Sequence, residues 1–218
     1  MSKKNIVTVA TLKGGSGKST LASCLAVHWR LTGRDAALVD ADPQRSVARL
    51  AQRERALGGI PVVEDTGTTV VETARKLARD HAIVVIDTAG FRAPATLAAL
   101  AEAELVVVPV KASPLDVDVM IDTARTLFAT VEGGIPPFRC VLTQTTRDSV
   151  IARHIRAELA DAGFPLFETE LVNRIAYGEA ALFGATPSQT APKGAAAREI
   201  ASLAGEIEAL LGTAKESS

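Results

Sequence analysis

The residues Lys13-Gly14-Gly15-Ser16-Gly17-Lys18-Ser19-Thr20 form the part of the chain best suited to chemistry. Gly14, Gly15 and Gly17 let the backbone approach phosphate oxygens with no Cβ in the way, and they can adopt φ > 0. Successive amides at the start of a helix then make an anion nest. In such a loop Lys18 bridges the β- and γ-phosphates, the Ser19 hydroxyl ligates Mg²⁺, and Thr20 lies near the α-phosphate. The expected ligands are therefore ATP and Mg²⁺. The general phosphate-loop string G-x-x-x-x-G-K-[ST] is met only in part. Leu12 stands where its first glycine belongs, and an extra lysine, Lys13, follows.

Two acidic sites can complete this chemistry. Asp87 ends the apolar run Ile83–Ile86, where a carboxylate can hold Mg²⁺, often through water. Gly90, in the Thr88-Ala89-Gly90 segment that follows, is expected near the γ-phosphate. Asp40 and Asp42 follow the apolar run Ala36–Val39. Asp42 is the candidate for positioning an attacking water, and Asp40 for supporting the metal's water shell.

These groups converge only if particular elements carry them. The runs Ile6–Ala10, Ala36–Val39, Pro61–Val63, Ile83–Ile86, Leu105–Val110 and Phe138–Leu142 are short and rich in β-branched residues. Strands covered on both faces read this way. Helical patterns fall between them, at about Lys18–Leu31, Gln44–Leu57, Thr68–Asp80, Pro94–Ala101, Leu115–Val131 and Ser149–Ala162. The alternation predicts an α/β fold, a doubly wound and mostly parallel sheet with helices on both faces, with ligands at the carboxyl ends of the strands. Asn173–Ala181 reads as a short helix, Leu182–Lys193 as a loop, and Gly194–Leu211 as a closing helix. One domain over 1–211 and a flexible tail over 212–218 are expected.

Composition narrows the function classes. The 218 residues carry a net charge of −1 and only 4% aromatics. The molecule as a whole is no sponge for nucleic acid, and it offers few stacking platforms for single strands. Cys24 and Cys140 lie far apart in apolar runs and read as buried thiols of a reducing cytoplasm. The absence of a CxxC pair leaves structural zinc and iron–sulfur chemistry unsupported. No apolar run approaches membrane-spanning length, and a cytoplasmic protein is expected.

The chain resembles the ParA/MinD family of deviant P-loop ATPases. The resemblance rests on KGGSGKST at Lys13–Thr20, DADPQ at Asp40–Gln44, VVIDTAG at Val84–Gly90, PVKASPLD at Pro109–Asp116 and NRIAYGEA at Asn173–Ala180. These cover nearly the whole chain, and the likeness is strongest to the short plasmid-partition members. It implies a P-loop NTPase fold and an ATPase that is weak without its partner. It also implies an ATP-driven homodimer in which Lys13 reaches the partner's nucleotide. Further implications are stimulation by a ParB-like cargo adaptor, and binding of nonspecific DNA in the ATP state with nucleoid association.

Arg153 and Arg156, one helical turn apart, and Arg174, in the last motif, are the candidate DNA contacts. A membrane-surface role for the closing helix is disfavoured. Glu199, Glu206 and Glu208 deny it the cationic face such helices carry, and its apolar stripe reads as core. The same ATP cycle could instead position a protein cargo such as a carboxysome or a chemoreceptor cluster. A metabolic P-loop enzyme is the alternative of a different class. Gln144 and Arg147 are positional guesses for reading adenine.

Overall fold

The computed structural model describes residues 5–11, 14–90, 93–113, 117, 121, 124–125, 134 and 136–216. Lys13 lies outside the described residues, as does most of the helix expected over Leu115–Val131.

Seven strands form one parallel sheet in the order β3-β2-β4-β1-β5-β6-β7. They are β1 (Ile6–Thr11), β2 (Ala36–Ala41), β3 (Val62–Glu64), β4 (Ile83–Gly90), β5 (Leu105–Lys111), β6 (Phe138–Thr145) and β7 (Leu171–Val172). The helices are α1 (Lys18–Leu31), α2 (Ser46–Ala51), α3 (Val70–Asp80), α4 (Pro94–Glu102), α5 (Val150–Asp161), α6 (Ile175–Leu182), α7 (Pro187–Thr190) and α8 (Ala195–Glu216).

Alternation along the strands sends side chains to opposite faces, and both faces are covered. Val7, Val9, Leu38, Val85 and Val107 pack against Leu21, Leu25 and Trp29 of α1 and against Ile200, Leu203 and Ile207 of α8. Ile6, Val39, Val84 and Ile86 point the other way, onto Val70 and Ala74 of α3 and Ala95 and Ala99 of α4. Val106, Val108 and Leu142 meet Ile155 and Leu159 of α5, with the buried Val117, Ile121 and Ala124 completing that cluster. The three are helical and spaced by four and three residues, as one helical face requires. Cys24 and Cys140 are buried free thiols, which burial pushes up to about 12.

The stripe on α8 is core, and the acidic residues of that helix fasten it to the domain. Glu208 accepts from Trp29 Nε1 at 2.8 Å, and Glu206 accepts the amides of Glu168 at 2.8 Å and Thr169 at 2.9 Å. Among the described residues, no helix is long and apolar enough to cross a membrane.

Four boundaries differ from expectation. The helix expected over Gln44–Leu57 ends at Ala51, and a 3₁₀ turn, Ala56–Gly59, follows. There the amides of Arg55 and Leu57 donate to the carbonyls of Phe183 and Gly184, which draws the chain out of helical register. The loop expected over Leu182–Lys193 contains α7, started by a Thr186/Gln189 capping box with Pro187 in its first turn. Strand β7 was too short to show a period. Finally, α8 continues past Leu211 to Glu216, because Gly212 stays out of the left-handed conformation that would end the helix.

Gly184 sits at the tightest of these junctions. Its φ is +67°, and an added Cβ would come within 2.4 Å of the Leu50 carbonyl oxygen and 2.5 Å of Arg53 Cβ. Gly184→Ala is expected to destabilise the fold by about 2 kcal/mol or more, through both the clash and the backbone conformation. Urea unfolding should show a lower midpoint at an unchanged slope, and a midpoint equal to that of the parent would refute the packing role.

Candidate functional site

The loop Gly14–Gly17 joins the carboxyl end of β1 to the start of α1. Gly15 and Gly17 have φ of +80° and +87°, conformations a side chain would strain. A Cβ added at Gly14, Gly15 or Gly17 would meet no heavy atom within 4 Å, so the loop faces open space. Helix α1 has no side-chain cap and no acidic residue in its first turn. Its free amides and positive dipole end are thus left for an external anion.

The loop is braced from behind. Ser16 Oγ donates to Thr11 Oγ1 at 2.8 Å. At the end of β6, Thr143 Oγ1 donates to the Ser16 carbonyl at 2.9 Å and Gln144 Nε2 to the Gly15 carbonyl at 2.7 Å. Gln144 has φ +53° and lies where the β6–β7 register shifts, which turns its side chain to the loop. Sequence reasoning held Gln144 only as a possible adenine reader. Its bracing role depends on β6 lying one strand beyond β5 from β1.

The expected charged groups converge on Lys18. Its Nζ donates to Asp87 Oδ1 at 2.8 Å, to Asp42 Oδ2 at 3.2 Å and to Ser19 Oγ at 3.4 Å. Asp87 is fully buried, and burial pushes its carboxyl up to about 6, against the opposing pull of Lys18 and Ser19. Its Oδ2 is buried and has no hydrogen-bond partner among the described residues. A buried carboxylate oxygen without a donor is costly, and it is the kind of group a hard divalent cation satisfies. Ser19 and Asp87 therefore fit Mg²⁺. No cluster of three or more His, Cys, Asp or Glu forms a cage among the described residues. Magnesium that arrives with phosphates needs only one or two protein ligands.

The remaining acidic candidate is Asp40. It is fully buried beside Asp87 across the β2–β4 register. Its Oδ1 accepts the Asp42 amide at 3.2 Å and its Oδ2 the Ala48 amide at 2.9 Å. Helix α2 starts at Arg45, which supplies no side-chain cap. Asp40 reaches over from β2 to satisfy a first-turn amide of α2.

Two cavities meet at the loop. One of about 500 Å³ is lined by Gly14–Thr20, Asp42, Gln44, Ser46, Arg49 and Arg53. The other, of about 610 Å³, is lined by Gly17, Thr20, Gln144, Asn173, Arg174 and Tyr177, with further apolar residues. Ser16, Gly17 and Thr20 border both. An extended nucleotide has this shape: a charged end on the loop, an apolar base beyond it, and Thr20 at the α-phosphate between. Gly90 lies at the root of the loop, paired with Thr11. The exposed Arg147 lines neither cavity.

The three candidate DNA arginines do not make one free patch. Arg174 pairs with Glu199 at 2.5 Å. Arg156 pairs with Glu170 at 3.1 Å and donates to the Phe167 carbonyl at 2.9 Å. Only Arg153 is exposed without a carboxylate partner among the described residues, its Nη1 donating to the Asp148 carbonyl at 3.2 Å.

Residues 7–187 match the family described as the CobQ/CobB/MinD/ParA nucleotide binding domain. The maintenance of carboxysome distribution protein A of Gloeobacter kilaueensis is 34% identical over 82% of each chain. The chromosome-partitioning ATPase Soj of Thermus thermophilus is 31% identical, over 93% of this chain and 95% of that one. The septum site-determining protein MinD of Pyrococcus horikoshii, solved with Mg-ADP, superposes with a TM-score of 0.73. It covers 96% of this chain and 98% of its own at 18% identity, a likeness of fold.

Gln144→Ala removes one brace of the loop while leaving its glycines in place. Nucleotide affinity is expected to fall about fivefold to tenfold, the worth of one hydrogen bond. Fold stability should change by less than ~1 kcal/mol, since the side chain is only half-buried. Calorimetric titration with Mg-nucleotide beside a thermal melt checks both; unchanged affinity would remove the bracing role.

Proposed function

The chain belongs to the CobQ/CobB/MinD/ParA nucleotide-binding family, and from that premise we propose that it is an ATP-switched positioning ATPase. ATP and Mg²⁺ are its ligands, ATP hydrolysis is its reaction, and ATP binding drives its homodimerisation. The observation that carries this reading is the convergence of Asp87, Asp42 and Ser19 on the Lys18 ammonium at the mouth of an open anion nest.

Each residue then has a task. Gly14, Gly15 and Gly17 present amides to the phosphates. Lys18, released from its carboxylates as phosphate arrives, neutralises charge between the β- and γ-phosphates. Ser19 and Asp87 would hold magnesium, which when bound would offset the charge that develops on the leaving and transferred oxygens. Asp42, anchored by its Oδ1 to the Gln44 amide at 2.9 Å, holds the attacking water near the γ-phosphate. Lys13 supplies a cation to the partner's nucleotide, as an arginine finger does, so the γ-phosphate is also a dimer contact. That role rests on its place in the motif.

The output is movement of a cargo over DNA. The ATP-bound dimer binds DNA without sequence preference, which would associate it with the nucleoid. A ParB-like adaptor bound to plasmid or chromosomal DNA stimulates hydrolysis and release. A protein cargo is the second reading, favoured by the 34% identity to a protein named for carboxysome distribution.

Two experiments test the cycle. Lys13→Ala should bind nucleotide but remain monomeric with ATP, while Asp42→Ala should stay dimeric and turn over at least about 100-fold more slowly. Sizing by light scattering with ATP, with phosphate release measured in parallel, checks both. An ATP dimer of Lys13→Ala, or normal turnover by Asp42→Ala, would overturn the assigned role. Retention on random-sequence DNA should rise with ATP, fall steeply with salt, and weaken in Arg153→Glu. Retention indifferent to nucleotide would refute the DNA switch.

A further inference from the structure

The phosphate cavity contains a cation that the reading above leaves without work. Arg45, Arg49 and Arg53 follow one another at four-residue spacing along and beside α2, and all are exposed. Arg45 forms a two-pronged pair with Glu64, one arm of 2.7 Å. Arg53 Nη1 donates to the Ala181 carbonyl at 2.6 Å. The Arg49 guanidinium has no hydrogen bond or ion pair among the described residues, yet Arg49 lines the cavity of about 500 Å³ together with the loop and Asp42.

The backbone that carries Arg49 is held from several sides. Asp40 Oδ2 accepts the neighbouring Ala48 amide at 2.9 Å. The Arg49 amide donates to the Arg45 carbonyl at 3.0 Å. Next along the chain, the Leu50 carbonyl lies where a Cβ on Gly184 would come within 2.4 Å. The long side chain is thus free while its attachment is fixed, so closing on an anion requires ordering of that side chain alone.

Charge balance says what it would close on. In this cavity the ammonium of Lys18 faces two carboxylates, Asp42 and Asp87. A triphosphate entering there brings several negative charges, and magnesium with Lys18 offsets only part of them. A guanidinium matches two phosphoryl oxygens at once through its planar fork. The residues lining the cavity with Arg49 include Asp42 and Gln44, the turn expected to hold the water that attacks the γ-phosphate.

We propose that Arg49 binds the γ-phosphoryl oxygens of the nucleotide held in its own subunit, and so makes the site distinguish a triphosphate from a diphosphate. The proposal rests on the nucleotide reading of the cavity. It adds a second recognition cation, contributed in cis from α2.

The test compares wild type, Arg49→Ala, Arg49→Lys and Lys18→Ala in calorimetric titrations with Mg-ADP and with the magnesium complex of a β,γ-imido ATP analogue. Arg49→Ala should lose at least about tenfold in affinity for the analogue and less than about twofold for ADP, with Arg49→Lys recovering part of the loss. Lys18→Ala should weaken both ligands. Parallel loss of both nucleotides in Arg49→Ala, or no loss of either, would overturn the proposal. So would unchanged nucleotide affinity with lost DNA retention, which would assign Arg49 to a DNA surface. Wild type binding neither nucleotide would instead overturn the reading of the cavity itself, an outcome distinct from failure of Arg49.

Discussion

The site depends on one buried charge problem. Asp87 lies within the central strand β4, fully buried, and its nearest compensating charge is Lys18 at 2.8 Å. Burying a carboxylate without a counter-ion would be prohibitive, and even with the lysine its carboxyl stays raised, to about 6. One of its oxygens still lacks a donor. That oxygen is suited to a ligand that arrives with a divalent cation. Lys18 is held beside the loop by Asp42 and Asp87, and binding exchanges these carboxylates for phosphoryl oxygens.

Around this pair, the loop and its flanking turns are held by neighbours distant in sequence. Thr143 and Gln144 support the loop from β6, and Asp40 caps α2 from β2. Gly184 locks the far end of α2 against the segment after α6, which itself borders the larger cavity. Helix α2 thus links the turn that faces the phosphates to the helix that borders the expected base site.

The surface shows why counting basic residues misleads. Arg156 and Arg174 look like free cations in the sequence, but each is held by a glutamate that the fold brings alongside, Glu170 and Glu199. Partly exposed pairs of this kind add modest stability and cancel the local field that a DNA surface would need. Arg49 and Arg153 have no carboxylate partner among the described residues, and periodicity alone does not show which arginines stay unpaired.

The sequence by itself determined the strand–loop–helix at Ile6–Leu31, the parallel layering, and the identities of Lys18, Ser19, Asp42 and Asp87. Each of these rests on local chemistry: apolar runs buried on both faces, glycines where the backbone must turn tightly, and carboxylates at strand ends. The Thr186/Gln189 capping box starts a helix inside what the sequence reads as loop. Only the tertiary structure decided what each group faces. Asp40 and Asp42 are two residues apart, yet one turns inward to cap α2 and the other reaches Lys18, because Asp40 is still in β2 while Asp42 lies past its end, in the turn where strand alternation no longer holds. Likewise Gln144 meets Gly15 and Gly184 meets Leu50 across more than a hundred residues of chain. The strand order β4-β1-β5-β6 fixes the first of these meetings and the packing of the turn after α6 against the end of α2 the second, and neither leaves a mark in local spacing.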